Sequence, residues 1–346
     1  MRGKGINFDT GFISAGTTTR EPFDPEVVRR EMRVIRDDLH CTAVRITGGE
    51  PERLEIAAKY AAHTGLEVWF CPFTNGLTKE GLLELLADCA ARAERVRQAG
   101  AEVVFLTGSE ISLFTAGFFP GETLEERLAL IADPVRVRAV IGEVRARMKD
   151  FLRQAVEVVR ARFGGKVSYA SLPFEGVDWS LFDIIATDAG YRTKENALRY
   201  RDSIRAFVAQ GRSLGKPVAI TEFGCCTYRG AADSGRDPSF SIVVWDDHGR
   251  AVKLNDKFIR DENEQANYLR ELLDVFEAEG VDFAFVYTFA RYDFPHRDDP
   301  LVDIDMASAG VVRVLDGWRG ERQGPYRDMP WEPKAAFQML AEWNRQ

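Results

Sequence analysis

The stretch PVAITEF, residues 217–223, is a short apolar run that ends beside a carboxylic acid, and it follows an amphipathic segment closed by Gly215. The stretch EVVFLTG, residues 102–108, has the same character and also leads to a glutamate, Glu110. Apolar runs of this length, bounded by Gly or Pro, are typical of strands that are covered on both faces. Strands of this kind, separated from one another by helical patterns, predict a parallel α/β fold.

Six further apolar or β-branched runs lie outside these two stretches, and amphipathic segments separate them along the chain of 346 residues. Eight strands alternating with helices fit a closed (β/α)8 TIM barrel better than an open doubly wound sheet. The open sheet usually carries a glycine-rich phosphate turn, and no G-x-G-x-x-G occurs here. We therefore predict one α/β domain, a single (β/α)8 barrel over residues 1–346. The other predicted strands are 5–9, 42–47, 67–73, 167–172, 183–189 and 282–289, and the predicted helices are 25–38, 51–64, 78–99, 122–132, 134–163, 196–214, 261–279 and 332–345.

Three predicted connections are too long for plain strand-to-helix loops. They are residues 111–133 after strand four, 224–260 after strand seven and 290–331 after strand eight. In the second of them, Asp-His-Gly at 247–249 separates two alternating apolar runs and predicts a β-hairpin near 241–254. In a barrel all three loops lie on the face that carries the active site, where long loops usually shape a substrate site.

Charge and composition argue against several classes of protein. The net charge of −8 argues against nucleic-acid binding, which needs clustered Lys and Arg. We expect a cytoplasmic protein with no membrane partner, because the chain has no apolar signal segment and no run of about 18 apolar residues. The five cysteines, an odd number, predict reduced thiols. The four histidines show no metal-binding spacing, so we predict no metal and no cofactor. The sequence carries no signal for the oligomeric state.

The C-terminal ends of all barrel strands meet at one mouth, so polar side chains at those ends converge on one pocket. Glu110 and Glu222 lie at the ends of strands four and seven, which face each other across that mouth. These two glutamates are the candidate catalytic residues. The candidate substrate-binding residues at the other strand ends are Asp9, Arg45, Asn75, Ser109, Asp188, Tyr191, Tyr287, Phe289 and Arg291.

Two carboxyl groups on either side of a scissile bond suit glycoside hydrolysis. One protonated carboxyl donates to the leaving oxygen and one carboxylate attacks the anomeric carbon, and a separation of about 5–5.5 Å marks the retaining route. Ionised Glu222 would keep Glu110 protonated through like-charge repulsion, so Glu110 would be the proton donor. We expect Arg45 to hold Glu222 ionised through a charge-assisted hydrogen bond, and Tyr191 to donate to the same carboxylate.

Several motifs resemble those of the large clan of retaining β-glycosidases built on a (β/α)8 barrel. GINFD at 5–9 resembles the clan's first strand, ITEFG at 220–224 its nucleophile strand, and EPKAAFQMLAEW at 332–343 its closing helix. VRIT at 44–47 puts Arg45 where that clan keeps an arginine beside the nucleophile. The resemblance implies an O-glycosyl hydrolase of carbohydrate metabolism that acts on a small-molecule or oligosaccharide substrate. It also implies that Glu222 is the nucleophile, that Glu110 is the acid and base, and that Tyr191 hydrogen-bonds the nucleophile.

The chain departs from the clan's pattern at three places. Ser109 precedes Glu110, where the clan usually has an asparagine that holds the sugar 2-hydroxyl. Tyr-Thr-Phe at 287–289 stands where the clan usually has a tryptophan platform, and the third strand ends in CPFTN at 71–75 without a histidine. Two other functions therefore stay open: another acid–base reaction on a polar small molecule, or a non-catalytic barrel that binds a carbohydrate or a protein partner.

For four residues near the strand ends, the sequence supports only general expectations. Glu175 is expected to be a solvated loop charge, and Asp9 either a substrate ligand or the cap of a loop. Cys225 and Cys226 are adjacent and cannot easily bridge each other. We expect them to be small side chains packed behind the nucleophile strand.

Overall fold

The computed structural model describes residues 1–234, 239–317 and 324–346. Eight strands form a closed barrel in which every neighbouring pair is parallel, and the last strand closes the ring on the first. The predicted barrel is thus confirmed, and each observed strand overlaps its predicted run. The strands are β1 (Gly3–Asp9), β2 (Ala43–Gly48), β3 (Glu67–Pro72), β4 (Val103–Ser109), β5 (Lys166–Ser171), β6 (Ile185–Thr187), β7 (Val218–Phe223) and β8 (Phe283–Val286).

Helices flank the strands, and several of them have clear cap residues. Asp24 accepts a hydrogen bond from the backbone N–H of Glu26 at the start of the first helix, and Gly215 and Gly280 close two others in the left-handed conformation. The predicted strict alternation fails between β5 and β6, where the chain forms a 3-10 turn, Trp179–Leu181, in place of an α-helix. The longer helices are α1 (Pro25–Arg33, continued by a π turn, Val34–Asp38), α2 (Pro51–His63), α3 (Lys79–Gln98), α4 (Pro134–Arg160), α5 (Tyr200–Leu214), α6 (Glu262–Glu279) and α7 (Ala335–Asn344), and two shorter ones are Ile111–Phe114 and Leu124–Ile131. Within the described ranges, no helix is both long enough and apolar enough to cross a membrane.

Aromatic side chains fill much of the barrel interior. The indole of Trp69 in β3 lies 5.0 Å from the ring of Phe283 and 4.8 Å from that of Phe285, both in β8. Gly3 and Gly5 in β1 lie directly opposite these phenylalanines in the strand register. A Cβ atom on Gly5 would lie 2.4 Å from a ring carbon of Phe285. Glycine is therefore required in β1 because the rings of β8 occupy the space that a side chain would need.

The loop after β7 carries an antiparallel hairpin, formed by Val243–Trp245 and Ala251–Leu254. This hairpin lies at the position predicted from the sequence, 241–254. The ring of Trp245 lies 5.9 Å from that of Phe294, which belongs to the loop after β8. The hairpin therefore packs against the neighbouring mouth loop instead of projecting alone into solvent.

A network of charged side chains joins the loops after β7 and β8. Arg260 donates to Asp303 at 2.7 Å and to Asp305 at 2.9 Å. The ammonium group of Lys334, which precedes α7, lies 2.9 Å from Asp305, and His296 lies 2.9 Å from Asp303. Lys334 and Asp305 are buried. Since a buried charge needs a partner, these pairs fix the two long loops to each other and to the closing helix.

Candidate active site

Arg45 connects four strands at the mouth of the barrel, and its side chain is wholly buried. It lies in β2, and its Nη1 donates to Oε1 of Glu222 at 2.9 Å and to Oδ1 of Asp188 at 3.2 Å. Asn7 in β1 orients the guanidinium, because its side-chain oxygen accepts from the same Nη1 at 3.1 Å. The amide of Asn7 in turn donates to the carbonyl of Thr221, next to Glu222, at 2.9 Å. Two carboxylates therefore share one guanidinium.

Ser109 and Asp188 form a second link across the barrel. The hydroxyl of Ser109, the last residue of β4, donates to Oδ2 of Asp188 at 2.6 Å. Asp188 follows β6, and its side chain has no exposed surface. The serine that replaces the expected asparagine is therefore directed at a carboxylate of the protein. Asp188 has no exposed atom with which to make the predicted substrate contact, and this corrects that expectation.

Glu110 directly follows β4 and has a left-handed backbone, with φ of 45°. This conformation is uncommon for a residue other than glycine, and it persists only where the surroundings impose it. The backbone N–H of Glu110 donates to the carbonyl of Ala170 in β5 at 3.0 Å. The residue then begins the short helix Ile111–Phe114. At Glu110 the backbone therefore turns sharply away from the direction of β4.

A buried carboxyl group, that of Glu175, holds the turn that carries Glu110. It accepts from the N–H and the hydroxyl of Ser112 at 3.2 and 2.6 Å and from the N–H of Leu172 at 2.8 Å. Tyr169 also donates to it, and the Tyr169 oxygen accepts from the N–H of Ile111 at 2.9 Å. Glu175 is fully buried, so the expectation of a solvated charge is wrong. Burial raises the pKa of its carboxyl group to about 7.

Three carboxyl groups meet at this site. Oxygen atoms of Glu110, Asp188 and Glu222 all lie within 4.8 Å of one another. Oxygens at this spacing resemble the ligands of a hard divalent cation. At Asp188 and Glu222, however, the guanidinium of Arg45 already supplies the positive charge. The acidic cluster alone therefore does not define a metal centre.

The protonation of Glu222 depends on opposing neighbours. Burial of the carboxyl group, and then the charge of Asp188, raise the pKa of Glu222 well above its ordinary value, and Glu110 acts in the same direction. Arg45 acts in the opposite direction. The predicted Arg45 contact exists, but Arg45 is shared with Asp188, so it does not by itself keep Glu222 ionised. The hydroxyl of Tyr191 lies 3.4 Å from Oε2 of Glu222, which is a weak hydrogen bond.

Asp9 and Asn75 bind loops instead of joining the carboxyl cluster. Oδ1 of Asp9 accepts from the N–H groups of Gly11 and Phe12, at 2.9 and 3.1 Å, so Asp9 caps the loop after β1. Asn75 donates to Ser14 at 2.9 Å and accepts from Arg127 at 3.2 Å, which ties together the loops after β1, β3 and β4. Of the two alternatives left open for Asp9, the structure therefore favours the loop cap.

The strand-eight candidates separate into two groups. Arg291 donates to the hydroxyl of Tyr287 at 3.3 Å and to both oxygens of Asp293, at 2.9 and 2.7 Å. Phe289, in contrast, is 0% exposed, and its ring packs 5.3 Å from that of Trp331. The predicted substrate contact of Phe289 is corrected, because the side chain belongs to the hydrophobic core. Tyr287 and Arg291 stay candidates.

Asn7 and Glu175 contribute to the site but were not predicted from the sequence as site residues. Asn7 had a detectable signal, because it lies two residues beyond Gly5 on the same face of β1, which faces the barrel interior. Glu175 had none, because its position depends on a loop that folds back under the turn after β4. Cys225 and Cys226 are buried and unbridged, as expected for small packed side chains.

Comparisons with known proteins agree with the barrel geometry. No family model matches the chain, and no curated protein matches it in sequence. Among solved structures, it is similar to a GH113 β-1,4-mannanase, with 17% identity, 99% of each chain covered and a TM-score of 0.61. It is also similar to a β-glucuronidase of Parabacteroides merdae, with 16% identity and a TM-score of 0.55, covering 99% of this chain and 36% of that one. A third neighbour is Cel5A of Thermotoga maritima, with 11% identity, coverage of 88% and 95%, and a TM-score of 0.51.

The chain has the (β/α)8 fold of these glycoside hydrolases. The likeness extends over nearly the whole of both chains for the mannanase, so it is not confined to a few strands. At identities this low it establishes the fold, and the chemistry has to be argued from the site.

Proposed function

We propose that this chain is a retaining glycoside hydrolase in which Glu222 attacks the anomeric carbon and Glu110 is the acid and base. The proposal rests on the separation of the Glu110 and Glu222 carboxylate oxygens, which lie within 4.8 Å of each other at the ends of β4 and β7. Carboxyl groups about 5–5.5 Å apart suit the retaining route, whereas inverting enzymes need about 6.5–9.5 Å to admit a water molecule. The glycoside hydrolases that share the fold support the same reaction class.

In the first half of the reaction, an oxygen of Glu222 forms a bond to the anomeric carbon while the glycosidic oxygen leaves and takes the proton of Glu110. Arg45 holds Oε1 of Glu222, so Oε2 is the attacking oxygen. In the second half, the Glu110 carboxylate removes a proton from water, and the water oxygen replaces Glu222 on the anomeric carbon. Glu222 leaves as a carboxylate, which Arg45 stabilises.

We infer that the substrate is a small glycoside or an oligosaccharide and that it meets Tyr287 and Arg291 in the loop after β8. Asp293 already neutralises Arg291 through two hydrogen bonds. A neutral sugar hydroxyl therefore suits this position better than a sugar carboxylate. The described parts of the loops after β7 and β8 are joined to each other and to the closing helix by ion pairs, so we also propose that residues 1–346 act as one domain.

The experiment uses the purified full chain with a panel of aryl β-glycosides and matching 2-deoxy-2-fluoro glycosides. We expect hydrolysis of at least one aryl glycoside and covalent labelling of Glu222, detected by mass spectrometry of peptides. Glu222→Gln abolishes both, and Glu110→Gln slows hydrolysis most for substrates with poor leaving groups. Glu195→Gln is the matched control, because Glu195 is an exposed glutamate in the loop after β6 and should leave the rate unchanged.

Three outcomes contradict the proposal in different ways. Undiminished hydrolysis by Glu222→Gln removes Glu222 from the mechanism. Labelling of another carboxylate moves the nucleophile to that residue. No turnover and no labelling across the panel favours a different acid–base reaction on a polar small molecule, or a barrel that only binds its ligand.

A further inference from the structure

Asp188 is a third carboxylate at the candidate site, and a two-glutamate reaction does not account for it. Its oxygens lie within 4.8 Å of carboxylate oxygens of both Glu110 and Glu222. Its side chain is completely covered by protein and accepts from Arg45 at 3.2 Å and from Ser109 at 2.6 Å. A group with no exposed atom cannot contact a substrate directly. Any influence of Asp188 on the reaction must therefore pass through its neighbours.

Asp188 accepts two hydrogen bonds from neighbouring side chains. One comes from the guanidinium of Arg45 and is charge-assisted, and the other is a short hydrogen bond from the hydroxyl of Ser109. Glu222 accepts from Arg45 at 2.9 Å, and its side chain is 14% exposed. When both groups are ionised, two negative charges face one positive charge in a buried place, which is unfavourable.

We propose that Asp188 is a positioning residue that shares Arg45 with Glu222 and thereby sets the pH above which Glu222 becomes an anionic nucleophile. This inference deepens the proposed function and rests on it for its catalytic meaning. The titratable groups that face Glu222 are Arg45 from β2, Cys71 from β3, Glu110 after β4, Asp188 after β6 and Tyr191 in the loop beyond it.

The charge of Asp188 is the second-largest cause, after burial, of the raised pKa of Glu222. Cys71, in contrast, is a buried thiol whose own pKa is raised to about 11 by burial, so it is neutral near pH 7 and adds no charge. Burial acts against the charge of Arg45, but its neighbours, Asp188 first among them, raise the pKa of Arg45 above its ordinary value. After removal of the Asp188 charge, Glu222 should be the only one of these two residues that forms an ion pair with Arg45. The pH at which Glu222 ionises should therefore fall.

The decisive variant is Asp188→Asn, which keeps the shape of the side chain and an oxygen for Arg45. Side-chain carboxyl signals of 13C-labelled glutamate are followed by NMR against pH, and the signal of Glu222 is the one missing from Glu222→Gln. We expect the titration midpoint of Glu222 to fall by about one to two pH units in Asp188→Asn, as expected for the loss of a charge at this distance. The acidic limb of the kcat/KM profile should move by the same amount.

Two further variants test whether a change in the Glu222 midpoint has a purely structural cause. Ser109→Ala removes a hydrogen bond that stabilises the Asp188 charge, so we expect a smaller shift in the same direction, and this variant serves if Asp188→Asn does not fold. Asp202→Asn, an exposed aspartate in the first turn of α5, should leave the midpoint unchanged.

An unchanged Glu222 midpoint in Asp188→Asn, or a midpoint that rises, overturns the inference. The NMR titration does not require turnover. A shifted midpoint without any glycosidase activity would therefore leave the coupling intact and reject only the proposed reaction. Hydrolysis with an unshifted midpoint would support the proposed reaction and reject the coupling between Asp188 and Glu222.

Discussion

The hydroxyl of Tyr169 lies 2.8 and 2.9 Å from the two carboxylate oxygens of Glu175, at a place that solvent does not reach. The same tyrosine oxygen accepts from the N–H of Ile111, the residue after Glu110. Through these hydrogen bonds a buried carboxyl group fixes the left-handed turn on which the candidate acid and base stands. The position of Glu110 therefore depends on a residue that does not take part in the proposed reaction.

The titration of Glu175 makes its stabilising effect depend on pH. Its folded pKa of about 7 lies above the value of about 4.5 expected in the unfolded chain, so the folded state keeps the proton over that interval while the unfolded state loses it. The group's favourable contribution is complete below about pH 4.5 and is lost as pH rises to about 7. Glu175→Gln removes this titration, so its destabilising effect should be larger at pH 5 than at pH 8, by up to about 3 kcal/mol.

Urea unfolding of Glu175→Gln and of the unmodified chain at the two pH values measures this difference. Glu143→Gln is the control, because Glu143 is an exposed glutamate paired with Arg147 on α4, and its effect on the free energy of unfolding should be small at both pH values. Equal destabilisation by Glu175→Gln at pH 5 and pH 8 would contradict the raised pKa.

The barrel could be predicted because its signal is local. The run EVVFLTG at 102–108 has four consecutive apolar residues, Val103 to Leu106, and the observed β4, Val103–Ser109, differs from it by one residue at each end. The positions of Glu110 and Glu222 at the mouth ends of β4 and β7 follow from such patterns alone. No helix was predicted between strands five and six, and the structure has only the 3-10 turn Trp179–Leu181 there.

The contacts within the site could not be predicted because they join residues far apart in the chain. Ser109 and Asp188 are 79 residues apart, and Ser112 and Glu175 are 63 apart. A strand pattern indicates which residues lie at the mouth, but loop conformation decides which of them meet. The burial of Phe289 has the same origin, because the ring is covered by Trp331 from the end of the chain.

Arg45→Met should destabilise the protein in a way that depends on pH. Loss of one partner from a buried ion pair costs about 3–5 kcal/mol, because it leaves Asp188 and Glu222 without their cation. Arg45 lowers the pKa of Glu222, so without Arg45 the pKa of Glu222 in the folded state would lie still further above its value in the unfolded chain. The deficit in the free energy of unfolding should therefore grow as pH rises from 5 to 8.

A second substitution tests the cause of that deficit. Asp188→Asn in the Arg45→Met background removes one of the two uncompensated charges, so it should recover part of the lost stability at pH 8 and little at pH 5. Urea unfolding of the double variant gives the answer. No recovery at pH 8 would mean that lost packing of Arg45, and not charge, is responsible.

Tyr191→Phe should reduce kcat/KM by about tenfold or less for a glycoside that the enzyme hydrolyses. The Tyr191 hydroxyl lies 3.4 Å from Oε2 of Glu222, and a hydrogen bond to a charged group contributes about 1.5 kcal/mol when well formed. Steady-state kinetics of Tyr191→Phe and of the unmodified chain measure this effect. A fall in kcat/KM of much more than tenfold would show that Tyr191 does not act through this hydrogen bond alone.

The last prediction concerns the packing inside the barrel. Gly5→Ala places a methyl group 2.4 Å from a ring carbon of Phe285, and overpacking of this kind costs about 1–3 kcal/mol. Gly142→Ala is the same substitution at an exposed site in α4, where the new methyl group meets nothing within 4 Å beyond the adjacent backbone of its own helix, and it should stabilise the helix by about 0.5–1 kcal/mol.

The opposite signs of the two Gly→Ala changes separate packing from chain entropy, because both substitutions restrict the unfolded chain equally. Phe285→Leu removes the ring that meets the new methyl group. Gly5→Ala should therefore be less harmful in the Phe285→Leu background than in the unmodified chain, by about 1 kcal/mol or more, since the two side chains compete for one space. Urea unfolding of the unmodified chain, of Gly5→Ala, of Phe285→Leu and of the double variant completes this double-mutant cycle. Strict additivity would indicate that β1 moves away from β8, and the glycine would then not be required by the ring of Phe285.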